Sequence, residues 1–271
     1  MLSFPNCKIN LGLRILRRRE DGYHQLETAF YPFPVKDVLE TIRNEALSFT
    51  ATGLQIPGDA STNLCIKAWQ LLKKDFEQLP PVDIHLHKNI PIGAGLGGGS
   101  ADGASMLLQL NRQFRLGLEE QKLMDYAAQL GSDCPFFILN KPCLAEGRGE
   151  KLEPIELDLS RYWLALVSPG IHIGTAWAFS RCTPTEAGRS IREIIAQPVE
   201  TWRDQLVNDF EAPVFLAHPD LKKIKAQLYR SGAVYASMTG SGSAFYGIFP
   251  RDAGLSLPDA SLFPGHFFRI V

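Results

Sequence analysis

Pro91-Ile92-Gly93-Ala94-Gly95-Leu96-Gly97-Gly98-Gly99-Ser100-Ala101-Asp102 is the stretch on which the reading of this 271-residue chain turns. Five of the seven residues from Gly93 to Gly99 are glycine, and Gly93 to Gly98 satisfy G-x-G-x-x-G. That pattern recurs wherever a chain turns tightly, so its context has to decide. A dinucleotide fold would need a second strand ending in an acidic residue about 20 residues on, but Glu119 and Glu120 open a helical pattern instead. A Walker loop closes on Gly-Lys-Ser/Thr, and the sequence has no Gly-Lys pair. What remains is a strand-like run, Val82 to His87, then the glycines, then Gly103, Met106, Leu107 and Leu110 at helical spacing. Such a loop can turn several backbone N–H groups toward one point and add to them the free donors and positive end of the helix behind. An oligophosphate suits that point, and side chains at the glycines would hold the backbone away from it.

Outward from the loop, the pattern is mixed α/β (α+β). Lys8 to Leu16 reads as a strand, and Asp21-Gly22-Tyr23-His24 as a turn into another strand through Phe30. Cys65, Ala68, Trp69, Leu72 and Phe76 form a helical stripe with Ser61 or Thr62 as caps. Leu123, Met124, Ala127 and Leu130 mark a helix that ends at Gly131 as a left-handed cap, and Ser132-Asp133-Cys134-Pro135 starts another. The character changes past Glu153-Pro154, which places a boundary between residues 1–153 and 154–271. Tyr162 to Val167 is a strand, Leu221, Ile224 and Leu228 belong to a helix, and Val234 to Met238 reaches a second glycine turn, Thr239-Gly240-Ser241-Gly242-Ser243, before a strand at Phe245 to Phe249.

Composition excludes several classes. With 45% hydrophobic residues the chain can bury a real core. A formal charge of −1 and a pI near 6.6 supply no global basic field for nucleic acid or an anionic membrane. The basic run Arg17-Arg18-Arg19 is followed at once by Glu20 and Asp21, as on a solvated turn. Five scattered cysteines without C-x-x-C spacing argue against a disulfide framework or structural zinc. His85 and His87 share one side of their strand but have no third ligand spaced near them. No apolar stretch of about 18 residues occurs. A soluble, cytoplasmic protein is expected, acting as a monomer or weak homodimer.

The loop resembles the phosphate-binding motif of the galactokinase, homoserine kinase, mevalonate kinase and phosphomevalonate kinase (GHMP) superfamily. Within it, Lys8-Ile9-Asn10-Leu11 with Asp21-Gly22-Tyr23-His24, then Gly131-Ser132-Asp133-Cys134-Pro135-Phe136-Phe137, Asn208-Asp209-Phe210-Glu211 and the second glycine turn are similar to kinases acting on 4-diphosphocytidyl-2-C-methyl-D-erythritol. The matches run in order along nearly the whole chain. Ser132 stands where alanine is common and Cys134 where valine is common. The resemblance implies a two-domain fold with an ATP-binding domain, a substrate-side domain and an active site in the cleft between them. It also implies transfer of the ATP γ-phosphoryl, with Mg2+, to the 2-hydroxyl of a cytidine-diphosphate-linked polyol in non-mevalonate isoprenoid synthesis.

Carried over residue by residue, the resemblance makes Asp133 the catalytic aspartate and Lys8 its partner. Phosphoryl transfer asks for positioning, charge compensation and a late proton acceptor, which such a pair can supply. Without the family, Asp133 reads as an N-cap and Lys8 as a solvated lysine. Pro91, Gly93, Gly95, Leu96, Gly97, Gly98, Gly99 and Ser100 would hold the ATP phosphates. Asn63 matches an adenine-pocket residue and is equally a helix cap. Tyr23 and His24 match cytosine-recognising positions, with Phe179 as the opposing aromatic face. Asn10 would hold the erythritol hydroxyls, and Thr175 lies where the family approaches the substrate. No carboxylate cage is legible, so no metal ligand is assigned. Rival readings are a homoserine or mevalonate kinase, a catalytically silent nucleotide-binding regulator on the same fold, and a nicotinamide oxidoreductase.

Overall fold

The computed structural model describes residues 1–251 and 257–271. Among them the strands are β1 (Leu2–Ser3), β2 (Asn6–Arg18), β3 (His24–Lys36), β4 (Val38–Arg43), β5 (Ser48–Gly53), β6 (Val82–Lys88), β7 (Cys143–Gly147), β8 (Lys151–Pro154), β9 (Tyr162–Ser168), β10 (Tyr235–Met238), β11 (Phe245–Pro250) and β12 (Phe267–Ile270). The helices are α1 (Leu64–Asp75), α2 (Gly98–Phe114), α3 (Glu120–Leu130), α4 (Cys134–Leu139), α5 (Thr175–Arg181), α6 (Ile191–Ile195), α7 (Glu211–Ala217) and α8 (Pro219–Arg230). The strands form three sheets, ordered β1-β4-β6-β5, β2-β3-β7-β8 and β10-β11-β9-β12.

The chain divides into two compact units, Met1–Lys8, Pro32–Ile92 and Gly97–Lys141 in one, and Ile9–Tyr31, Gly93–Leu96 and Pro142–Val271 in the other. Residue 153, where the sequence changes character, lies inside β8, which pairs with β7.

In the first unit β5 and β6 pair in parallel, Ser48 opposite Asp83 through Gly53 opposite Lys88, and α1 makes the crossover that a parallel pair requires. The α1 stripe is Cys65, Ile66, Ala68 and Leu72, all buried. Its cap is Asn63, whose side chain accepts from the Cys65 N–H at 2.9 Å; Ser61 and Thr62 belong instead to a preceding 3-10 turn capped by Asp59. The expected cap is thus displaced, because the chain makes one tight turn before the helix opens. Against α1 runs α2, which follows β6 through the glycine loop; a Cβ at Gly103 would lie 2.9 Å from that of Leu64, so the two helices touch where glycine permits it. Gly131 does end α3, but at φ 170° it is extended, not left-handed.

In the second unit the antiparallel sheet β10-β11-β9-β12 carries one of the hydrophobic cores. Met238, Phe245 and Phe249 of the sheet meet Leu221, Ile224 and Leu228 of α8 and Val214 of α7. The period-2 pattern of the strands and the i, i+3, i+7 pattern of α8 direct these side chains to a common core.

Candidate active site

The parallel strand β6 delivers the chain to the loop, and three of its glycines, Gly93, Gly95 and Gly97, have left-handed backbones at φ 67°, 79° and 69°. The part up to Leu96 lies on the second glycine turn. The Ala244 N–H donates to the Ala94 carbonyl at 3.1 Å, and a Cβ on Gly95 would sit 2.2 Å from the Thr239 carbonyl oxygen. From Gly97 onward the loop belongs to the first unit: a Cβ there would lie 3.0 Å from Phe137 and 3.2 Å from Lys8 Cγ. The first amide of the turn to find a helical acceptor is Ala101, bonded to the Gly97 carbonyl at 2.9 Å. The N-cap of α2, Gly97, makes no side-chain capping bond, and the amides ahead of Ala101 are donors of the kind that a helix start can offer to an anion. Gly99 is telling: its φ is not left-handed, and a Cβ would meet nothing within 4 Å. The fold makes no demand for glycine there, whereas an incoming phosphate would.

Asp133 occupies the N-cap position of α4 yet makes no capping bond. Its carboxylate faces the Lys8 ammonium, Nζ to Oδ2 at 3.6 Å, with 5% of the lysine side chain and 32% of the aspartate exposed. A fixed, buried cation thus stands beside an accessible carboxylate in the same unit as Gly97 to Ser100. Asn63 lines a cavity of about 420 Å3 with Phe49, Thr52, Leu54, Ile56 and Pro57. Pro91 is buried at the start of the loop.

The other expected residues gather in the second unit. His24 stacks on Phe179, ring centroids 5.0 Å apart and planes within 16°, while Phe210 meets Phe179 edge-on at 4.9 Å. Burial, with Arg18 nearby, pulls the His24 imidazolium below its ordinary range, favouring a neutral ring that can both donate and accept. Tyr23 is 55% exposed, with the Arg148 guanidinium 4.7 Å above its ring. Thr175, first residue of α5, brings its hydroxyl to 3.2 Å from that of Ser241 in the second glycine turn. Asn10 is only 2% exposed: its amide donates to Thr28 Oγ1 at 3.0 Å, and its Oδ1 lies 3.2 Å from the Thr239 hydroxyl.

Two family models match, GHMP kinases N terminal domain over residues 63–141 and GHMP kinases C terminal over 190–256. A 4-diphosphocytidyl-2-C-methyl-D-erythritol kinase of Bacteroides fragilis is 50% identical over 263 residues, covering 96% of this chain and 96% of that protein. The crystal structure of a 4-(cytidine 5'-diphospho)-2C-methyl-D-erythritol kinase superimposes with a TM-score of 0.80 at 35% identity, over 92% of this chain and 90% of that one. The chain belongs to the 4-diphosphocytidyl-2-C-methyl-D-erythritol kinase family of GHMP kinases. Methanococcus jannaschii mevalonate kinase shares the fold, with a TM-score of 0.71 at 13% identity over 100% and 96% of the two chains.

In this GHMP kinase two sets of residues do work that the motif reading did not assign. Asn208 is fully buried and fixes the second glycine turn, donating to the carbonyls of Met238 (2.8 Å) and Gly240 (2.9 Å) and accepting from the Phe210 N–H (3.0 Å). Lys88, Asp37 and Asp102 form a buried charged cluster beneath the first turn of α2. The sequence signal for the cluster is faint: Asp102 closes the quoted motif and Lys88 ends the strand that leads into the loop, but Asp37 is far away in sequence. His85 and His87 both meet the Thr52 hydroxyl at 3.0 Å. Among the described residues, no three His, Cys, Asp or Glu side chains gather as a metal site, and no helix is long and apolar enough to cross a membrane.

Proposed function

We propose that this kinase transfers the γ-phosphoryl group of ATP to the 2-hydroxyl of 4-diphosphocytidyl-2-C-methyl-D-erythritol, giving the 2-phosphate and ADP in non-mevalonate isoprenoid precursor synthesis. The observation that carries the reading is the Lys8–Asp133 pair: an aspartate at a helix start that declines to cap its helix and faces an ammonium beside the glycine turn instead.

Each step falls to particular groups. The amides around Gly97 to Ser100 hold the phosphate tail, and the positive end of α2 favours its charge. Lys8 offsets negative charge on the moving phosphoryl, while Asp133 accepts the proton of the attacking hydroxyl as the bond to phosphorus forms. Mg2+ bound with the nucleotide would supply charge neutralisation at the phosphates. Asn63 and its cavity suit the adenine. The His24–Phe179 stack, with Tyr23, supplies aromatic faces and a neutral imidazole for cytosine. Thr175 approaches the acceptor, and Asn10, whose side chain bonds both Thr28 and Thr239, is assigned to the erythritol hydroxyls. Free thiols at all five cysteines agree with a cytoplasmic setting.

The test is incubation of the purified chain with ATP, Mg2+ and the cytidylylated methylerythritol, with phosphorus resonance as readout. A new monophosphate signal together with ADP is expected, with mevalonate and homoserine inert. Turnover of either control at a comparable rate, or silence with the cytidylylated substrate, rejects the assignment.

A further inference from the structure

Beneath the first turn of α2 lies a charged cluster that the reaction itself does not require. Lys88, the last residue of β6 and 4% exposed, donates to Asp37 Oδ2 and, at 2.7 Å, to Asp102 Oδ2. Its Nζ is 3.0 Å from where a Cβ of Gly98 would stand, directly against the phosphate turn. The two aspartates differ in what else they receive. Asp37, fully buried, also accepts the N–H groups of Asn89 (2.6 Å) and Ile90 (2.8 Å) on Oδ1. Asp102, 2% exposed, has a buried Oδ1 with no hydrogen-bond partner. With both carboxylates ionised, the cluster would hold one excess negative charge under an anion site.

We propose that Asp102 carries a proton in the working enzyme, leaving the Lys88–Asp37–Asp102 cluster neutral, and that this neutral cluster positions the phosphate turn. The inference rests on the nucleotide reading of the loop. Asp37 is the better-supplied carboxylate, with two amides and the ammonium as donors; Asp102 has the shared ammonium, a side-chain hydrogen bond with Asp37 that favours its protonated form, and a buried Oδ1 that no donor reaches, so the proton belongs on Asp102. Burial accordingly pushes the Asp102 carboxyl up to about 8, with the Asp37 charge acting in the same direction and Lys88 opposing. The other titratable groups facing the cluster are Cys65 on α1 and Cys7 on β2. Burial raises both thiols, Cys7 to about 12, so neither contributes a charge. Deprotonation of Asp102 then places a full negative charge behind the helix end that receives the phosphates.

The test is ATP·Mg2+ binding by calorimetry between pH 6.5 and 9.5 on the full chain and on Asp102→Asn, which keeps the shape of the neutral acid, alongside infrared spectra of both. For the wild type, the dissociation constant should rise at least tenfold through about pH 8, the effect of one charge at about 12 Å or nearer at an effective dielectric near 20. The terminal phosphate of the nucleotide ionises about two units lower, as phosphate monoesters do, and does not account for that step. Asp102→Asn should bind as the wild type does at pH 7 and show no step, and across the wild-type step kcat should move much less than KM. A protonated-carboxyl band should be present in the wild type at pH 7, fade by pH 9.5, and be missing from the variant. Absence of that band, or an unchanged pH step in Asp102→Asn, overturns the proposal. If the variant does not fold, the wild-type band and its titration decide. If the wild type binds no ATP at any pH, the nucleotide reading and the positioning role fall together, while the band still reports separately whether Asp102 is protonated.

Discussion

A Cβ at Gly95 would sit 2.2 Å from the Thr239 carbonyl oxygen on a backbone at φ +79°, whereas one at Gly99 would meet nothing within 4 Å. Gly95→Ala should therefore lower stability by at least about 2 kcal/mol, from left-handed strain plus overlap with backbone. Gly99→Ala should leave the melting temperature unchanged or slightly higher, since glycine within a helix costs up to about 1 kcal/mol against alanine. Its nucleotide affinity should nevertheless drop, because the methyl occupies space left for phosphate. Melting curves beside ATP titrations check both, and undiminished ATP binding by Gly99→Ala would remove the anion site from that turn. Asp133 is a separate case. Asp133→Asn keeps the size of the side chain while removing the proton acceptor, so kcat should fall by about 10²- to 10⁴-fold with the ATP dissociation constant within about twofold. Turnover near the wild-type rate would end its role as base.

At the scale of elements, the second glycine turn depends on one side chain. Replacing Asn208 by alanine strips partners from the Met238 and Gly240 carbonyls and the Phe210 N–H in a fully buried place. The expected cost is about 3 kcal/mol by denaturant titration, and Asn208→Asp should be worse, since it sets a carboxylate against two carbonyl oxygens. A loss under about 0.5 kcal/mol would mean that the turn is held by other contacts. The same elements show what the sequence could reveal. β2, β6, α1, α2, α3 and α8 were legible because each carries a repeating apolar pattern over several residues. β3 was traced only to Phe30, although it continues to Lys36 through Pro32 and Pro34, residues that ordinarily argue against a strand. Two-residue β1 and the short helices α5 to α7 are too brief for periodicity to register, and their existence depends on what they pack against. The site divides in the same way. The glycine loop announces itself, while the ion pair at Asp133, the bond between Thr175 and Ser241 and the Lys88 cluster join residues far apart in sequence and are set by tertiary structure.

For the molecule as a whole, a formal charge of −1 leaves little general repulsion, so individual groups set how stability varies with pH. Asp102 is raised by burial to about 8. Between about pH 4 and 8 the unfolded chain has released that proton and the folded chain retains it, so stability falls by up to about 1.4 kcal/mol per pH unit as pH rises through the window. Asp209, raised by burial and only partly exposed, acts in the same direction. His24 acts in the opposite direction: burial lowers it, so below about 6.5 the unfolded chain takes up a proton that the folded one resists, and stability declines on acidification. The exposed carboxyls of Asp21, Asp59, Asp158, Asp220 and Asp259, lowered mainly by local hydrogen bonds, lose their small contribution only as pH falls below about 4. The Asp102 slope outweighs the opposing His24 slope, so the melting temperature should peak at about pH 4 to 5, where the carboxyls of the unfolded chain titrate, and decline toward pH 8. Asp102→Asn should flatten the alkaline limb while leaving the acid limb in place, because His24 and the surface carboxyls are untouched. A wild-type melting temperature that holds level or climbs between pH 6 and 8 would show that Asp102 is already ionised in the folded chain.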